Sequence, residues 1–247
     1  MPAKKKTDIG FNRLVRRQWL WETLRQVAAE IPETDIASNL KTAIAEENAG
    51  KETIRKVFVH LRRVWIEPPA YCRPLRDSAL ELFRQTPDER TAYLLNWGMC
   101  IAAYPFIGAV AEATGRLFRL QGDAGAAQVN LRVLEQFGDR HFVHRSIRYN
   151  LSTFLDMGTV SRDPKTGKYI PGKPHPLIDS AEIAWLVEAL LHSRETPSLA
   201  LDSIATHATL FPFQVPAITV SDIRTSDRLK ILRQDLDRSF VELRGTA

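Results

Sequence analysis

Cysteine is almost missing from this chain. Cys72 and Cys100 are the only two in 247 residues, too few and too far apart for a zinc cluster or a disulfide framework. They are expected to be reduced thiols, as suits a cytoplasmic protein. Long apolar runs are missing as well. None approaches the ~18 residues of a membrane span, so no membrane partner is expected. The basic start, Met1-Pro2-Ala3-Lys4-Lys5-Lys6, leads into no apolar stretch and does not read as a secretory leader.

Catalytic signatures are absent in the same way. Gly167-Lys168 lacks the upstream glycines of a P-loop, and neither a GxSxG elbow nor a dinucleotide fingerprint occurs. The six histidines (His60, His141, His144, His175, His192 and His207) make no metal-ligand spacing with cysteine or carboxylate, and there is no HExxH. Asp222, Asp235 and Asp237 invite comparison with a nuclease carboxylate set, but acidic residues in turns and helix starts are mostly structural. The expectation is a non-enzymatic protein with no cofactor and no metal.

What is present is ordinary in amount and uneven in placement. Hydrophobic residues make up 44% and charged residues 26%, the composition of a globular protein with ample core. The net charge is +5. Between residues 140 and 174 stand Arg140, Arg145, Arg148, Arg162, Lys165, Lys168 and Lys173 against Asp156 and Asp163. That segment alone therefore carries the whole excess, and the rest of the chain is neutral. Concentrated positive charge is what phosphate binding requires, because each neutralised phosphate releases a counterion.

The pattern within that stretch is specific. A short helix from Ala126 ends at Gly138-Asp139, and a longer one runs from Arg140 to about Met157. At 100° per residue Val143, Ile147, Leu151, Phe154 and Leu155 share one face, which must be buried. His141, Arg145, Arg148 and Ser152 fall opposite, with Tyr149 at the edge. Gly158 ends the helix in the left-handed conformation. Thr159-Val160-Ser161-Arg162 and Lys168-Tyr169-Ile170 then read as strands around an Asp163-Pro164-Lys165-Thr166-Gly167 turn. Helix, turn, helix, hairpin is the order of a winged helix-turn-helix, whose second helix enters a groove of double-stranded DNA. The expected DNA-binding set is His141, Arg145, Arg148, Tyr149 and Ser152 on the helix, with Arg162, Lys165, Lys168 and Lys173 on and after the hairpin. A helical adaptor whose winged helix docks an acidic protein surface is the second reading.

Around this module the chain reads as mainly α. A flexible basic tail over residues 1–10 precedes a helical bundle over 11–121 of about six helices: Phe11–Ile31, Thr34–Glu47, Lys51–Ile66, Tyr71–Gln85, Arg90–Ala103 and Phe106–Leu120. Thr86-Pro87 reads as cap and first position of the fifth, which is apolar nearly all round and belongs in the middle. Arg55, Lys56, Arg62 and Arg63 form a second basic face on the third, read either as a DNA-backbone contact or as a solvated surface, the latter favoured. The winged module spans 126–174, its first helix burying some combination of Val129, Leu131, Val133, Leu134 and Phe137. Residues 177–247 form a smaller helical/β part. It has a helix near Ile183–Leu191, a short helix over Ser198–His207, a strand within Leu210–Val220 and a terminal hairpin pairing Leu229–Leu232 with Phe240–Leu243. A second winged-helix-like unit is one reading of that ending.

Several of these pieces recur in a known family. Glu46-Glu47-Asn48 precedes a helix bearing Ile54, Arg55, Lys56, Leu61, Arg62 and Arg63. The apolar Leu94-Leu95-Asn96-Trp97 and the helix end Phe154-Leu155-Asp156-Met157-Gly158-Thr159-Val160 follow. Over about residues 40–165 the chain resembles the BrxA family. The resemblance implies a small, non-enzymatic, DNA-binding component of the BREX systems that defend bacteria against phage, acting beside other defence-system proteins. It supplies no catalytic residues, and the chain runs on past it at the C-terminus.

Overall fold

The computed structural model describes residues 8–245 apart from 48, 195, 197, 236 and 237. It is mainly helical, 62% helix against 11% strand, with the strands confined to small sheets. Six helices come first: α1 (Arg17–Ala28), α2 (Glu33–Ala45), α3 (Lys51–Leu61), α4 (Arg73–Gln85), α5 (Glu89–Ala103) and α6 (Pro105–Gln121). A wider π turn, Arg62–Ile66, prolongs α3. Helix α5 sets the arrangement, since residues 91 to 103 are all buried and a helix without a polar side must be enclosed. Its cap is Asp88 and not Thr86: the Asp88 carboxylate accepts from Thr91 N at 2.7 Å, which leaves Pro87 outside the helix. No single helix among the described residues is long and apolar enough to cross a membrane.

The first expected helix begins six residues late. Residues 11–16 run as an irregular arm, because their backbone finds partners elsewhere. Phe11 N donates to Asn150 Oδ1 at 3.2 Å, Val15 N to Thr153 Oγ1 at 3.1 Å and Arg17 N to Asp156 Oδ1 at 2.6 Å. Side chains that satisfy main-chain groups in this way compete with helix formation. The arm reaches further back than a tail over 1–10 allows. Gly10 O accepts from Asn150 Nδ2 at 3.0 Å, and a Cβ on Gly10 would lie 2.4 Å from the Tyr104 ring. Residues 1–7 of that tail lie outside the described residues.

Next come α7 (Ala126–Phe137) and α8 (His141–Met157), separated at Gly138 with φ +82°. Val129 and Val133 are buried, while Leu131 is 63% exposed and so leaves the expected buried set. Strands β1 (Val160–Arg162) and β2 (Tyr169–Pro171) pair antiparallel. Tyr169 also bridges to Ala124, each residue donating its N–H to the other's carbonyl at 3.0 and 2.8 Å.

The remainder is tied into the same core. Strand β3 (His175–Pro176) pairs with β5 (Phe213–Gln214). Helix α9 (Ser180–His192) is buried from 182 to 192 and packs on α5, where Gly98 leaves room for the Trp185 ring. Trp185 Nε1 donates to Leu75 O at 3.0 Å. The helix expected over Ser198–His207 starts instead as β4 (Ser198–Ala200), and only α10 (Leu201–Ile204) is helical. Leu199 stands opposite Val241, and both are buried, so cross-strand packing outweighs the helical preference of the run. After α11 (Val220–Arg224), β6 (Leu229–Asp235) and β7 (Arg238–Leu243) form the terminal hairpin, in a sheet of order β4-β7-β6. Leu236 and Asp237, placed in its turn, lie outside the described residues. Asp222, taken above for its carboxylate, is a capping group: it accepts from Thr219 N at 2.8 Å at the start of α11.

A candidate nucleic-acid interface on the eighth helix

Helix α8 has two buried sides, and only one is apolar. Val143, Ile147, Leu151, Phe154 and Met157 enter the core, with Leu155 half-buried. Ser146, Asn150 and Thr153 are equally buried on a second, polar side, where the last two hold the arm. The side of the helix turned away from both carries His141, Arg145, Arg148, Tyr149 and Ser152, each exposed or half-buried. Gly158 closes the helix at φ +76°.

The outer side chains are held by aromatic rings more than by acids. The Arg148 guanidinium lies 5.3 Å from the Tyr149 ring centre and Arg13 of the arm 5.9 Å from the same ring. Arg145 lies 5.6 Å from the Phe142 ring. Arg13, Arg145 and Arg148 have no carboxylate partner among the described residues. Ser152 Oγ donates to Arg148 O at 3.0 Å, so it is bonded back onto its own helix. His141 is exposed at the helix start, and the neighbouring His144 meets Asp139 at 2.6 Å. Beside Arg145 and Tyr149 a cleft of about 400 Å³ opens, walled on its other sides by the arm and by Glu47 and Ala49 of the α2–α3 connection.

The hairpin divides its cations unevenly. Asp163 Oδ1 accepts from Lys165 N at 2.7 Å and Thr166 N at 3.0 Å, and these bonds hold its carboxyl below the usual range. Gly167 follows at φ +69°. Lys165 projects from the tip and Lys173 beyond the second strand, both exposed. Arg162 instead folds onto its own hairpin, donating to Gly167 O at 2.7 Å and Tyr169 Oη at 3.1 Å, with its guanidinium 4.6 Å from that ring. Lys168 Nζ pairs with Asp123 at 3.0 Å.

The other basic face is occupied throughout. Arg55 and Lys56 pair with Glu52 at 2.9 and 3.0 Å, Arg62 with Glu33 at 2.7 Å and Glu67 at 2.8 Å, and Arg63 with Asp8 at 2.7 Å. Asn48, quoted above for the family resemblance, lies outside the described residues; Glu47 pairs with Arg16 at 2.6 Å. Among the described residues no three His, Cys, Asp or Glu side chains are grouped to hold a metal ion. Arg13 and Arg16 at the cleft are not legible from the sequence, whose apolar spacing puts them inside a helix, whereas they stand on the arm before α1. The readable signal was the polar series Ser146, Asn150, Thr153 and Asp156, spaced by four, three and three along α8. No family model matches this sequence, and no curated protein or solved structure is significantly similar to it.

Proposed function

We propose that this protein is a non-enzymatic double-stranded DNA-binding protein that lays α8 in a major groove, with the β1–β2 hairpin as a wing. The observation that carries this reading is the pair Arg145 and Arg148, one turn apart on the side of α8 opposite its apolar core face, with no acid of their own among the described residues. The element order supports it. A helix (α6), a bridge at Ala124, two helices and a hairpin follow one another, with Ala124 paired to the second hairpin strand. After α9 a partly similar series follows, β4, α10, β5, α11 and the β6–β7 hairpin, with β4 likewise on the last strand although β5 interrupts the two short helices. Seventeen residues make α8 about 25 Å long at 1.5 Å per residue, and the ~12 Å major groove admits such a helix. Lys165 and Lys173 reach flanking phosphates. The likeness to BrxA adds a place among the proteins of a phage-defence system.

Binding to random duplex across a salt series tests this. The logarithm of affinity should fall linearly with that of salt, by about 0.9 per phosphate neutralised. Affinity that barely changes between about 50 and 200 mM salt would overturn the phosphate reading and favour an acidic protein partner for α8.

A further inference from the structure

Apolar chemistry stands on the outer side of α8 beside the charge. Phe142, the second residue of α8, is 38% exposed. It is the one aromatic ring among the large hydrophobic side chains left exposed in the described residues. Helical spacing puts it about one turn before Arg145 and two before Tyr149, away from the apolar core face. The ring has a cationic neighbour. The Arg145 guanidinium lies 5.6 Å from its centre, and Arg145 Nε is closed to solvent, so this side chain lies packed down along the helix. Arg148 is exposed in comparison. A side chain held in place by its neighbours suits base reading, which depends on a fixed frame.

The inference rests on the groove reading of α8 and gives that reading a sequence preference. The first residues of a recognition helix are the ones that meet base edges, and Phe142 and Arg145 both fall in the first two turns of α8. Phosphate contacts position a protein on the duplex, whereas base contacts specify the sequence. Base edges in the major groove present donors, acceptors and one apolar group, the C5-methyl of thymine. A phenyl ring carries no polar atom, so that methyl is the group it can favourably cover. Arginine finds its best match in the O6 and N7 acceptors of guanine. Consecutive bases on a strand are ~3.4 Å apart along the axis, so two groups 5.6 Å apart reach neighbouring bases. We propose that Phe142 and Arg145 together select a thymine beside a guanine, the ring on the methyl and the guanidinium on O6 and N7. Phe142 is then a specificity-determining residue, and it adds nothing to the attraction for phosphate.

The test is competition binding of the full chain to a duplex of alternating thymine and guanine and to the same duplex with uracil in place of thymine. The two differ only in the methyl group. The thymine duplex should bind about fourfold more tightly, as burial of one such group implies, and Phe142→Ala should bind the two alike. The exchange of thymine for uracil leaves the protein untouched, so it carries the comparison if Phe142→Ala lowers the melting temperature. Replacing guanine by 7-deazaguanine removes the N7 acceptor. That should weaken the unaltered chain by at least about fivefold and leave Arg145→Gln nearly unaffected. Equal binding of the thymine and uracil duplexes by the unaltered chain overturns the proposal. So does a preference that folded Phe142→Ala retains, or a 7-deazaguanine loss that Arg145→Gln shows in full. Salt-dependent duplex binding in any of those cases leaves the groove reading of α8 standing without this preference. Absence of salt-dependent binding to every duplex overturns both.

Discussion

Two helices of this protein present arginines at helical spacing, and their surroundings differ completely. On α3 and its π turn, Arg55, Lys56, Arg62 and Arg63 each meet a carboxylate within 3.0 Å. The exchange is strong enough that Arg55, then Lys56, holds the Glu52 carboxyl down at about 2. On α8, Arg145 and Arg148 lie over aromatic rings and meet no carboxylate among the described residues. A basic stripe in sequence records how much charge a face bears. Whether that charge is open to a partner depends on acids supplied from the same turn, as Glu52 is, or from distant segments, as Glu33 and Asp8 are.

The comparison rests on the rotational phase of α8, and the largest expected effect tests it. Phe154 is 1% exposed, 5.0 Å from the Trp97 ring. Phe154→Ala should cost about 3–5 kcal/mol of stability, as truncation of a core aromatic does. An unchanged denaturation midpoint would mean that the apolar side is misplaced, and the arginine side with it. Next in size, Arg145→Ala or Arg148→Ala should weaken duplex binding by about 1–3 kcal/mol where the arginine reads a base. Stability should move by no more than about 0.5 kcal/mol, so melting curves beside the binding isotherms separate the two. Folded arginine variants that bind DNA unchanged would transfer α8 to a protein partner.

A buried histidine on α3, His60, lies against the arm and feels the cations of the arm and of the α3 side. His60 accepts from Asn12 N at 3.3 Å and meets Tyr104 Oη at 2.9 Å. Burial first, then Arg13, Arg63 and Lys56, push its pKa down to about 3. In the unfolded chain the value returns to about 6.5. Between those values the unfolded state binds a proton that the folded state refuses, so the stability from neutral His60 is complete above about 6.5 and declines as pH falls. The slope from this group is at most about 1.4 kcal/mol per pH unit. Urea titrations at several pH values should show a shallower decline in His60→Gln; an identical pH dependence in both would show that His60 is not the group involved.

Much of α8 was legible and much of its setting was not, for a physical reason. Val143, Ile147, Leu151 and Phe154 follow the 3.6-residue period because hydrophobic burial is local to the helix face. Gly158 and Gly167 take positive φ where turn chemistry requires it. The arm was hidden because Phe11, Leu14, Val15 and Trp19 happen to recur at helical spacing. What unwinds residues 11–16 is a polar series on a helix some 140 residues later, and no local period reports such a pairing. Polarity also misleads about burial, since Asn150 is fully buried while Leu131 is exposed. The hairpin shows the same limit: its turn is written in Asp163-Pro164 and Gly167, but the engagement of Lys168 depends on Asp123, 45 residues away.

Within the hairpin that difference sets a smaller effect. Lys165 stands on a turn with no frame from which to read a base edge, so Lys165→Ala should weaken all duplexes about equally and lower the salt slope by about one unit. Lys168→Ala breaks an internal pair instead and should change the slope less. Equal slopes for the two variants would show that Asp123 releases Lys168 in the complex.

The smallest expected effect is also the one that decides the comparison. Arg62→Ala on the paired face removes a guanidinium already shared between Glu33 and Glu67. For that group to reach a phosphate, it would have to leave two carboxylates that already supply opposite charge, so the exchange gains little. Removing it also uncovers two acids, which repel DNA at long range and add a weak opposing term that salt screens. Duplex affinity should therefore be unchanged at moderate salt, and at low salt it should shift slightly toward weaker binding with no change in the number of ions released. A loss of a full unit in the salt slope, equal to that of Lys165→Ala, would place the α3 face on the DNA backbone. It would also show that pairing within the free protein does not predict which cations the duplex recruits.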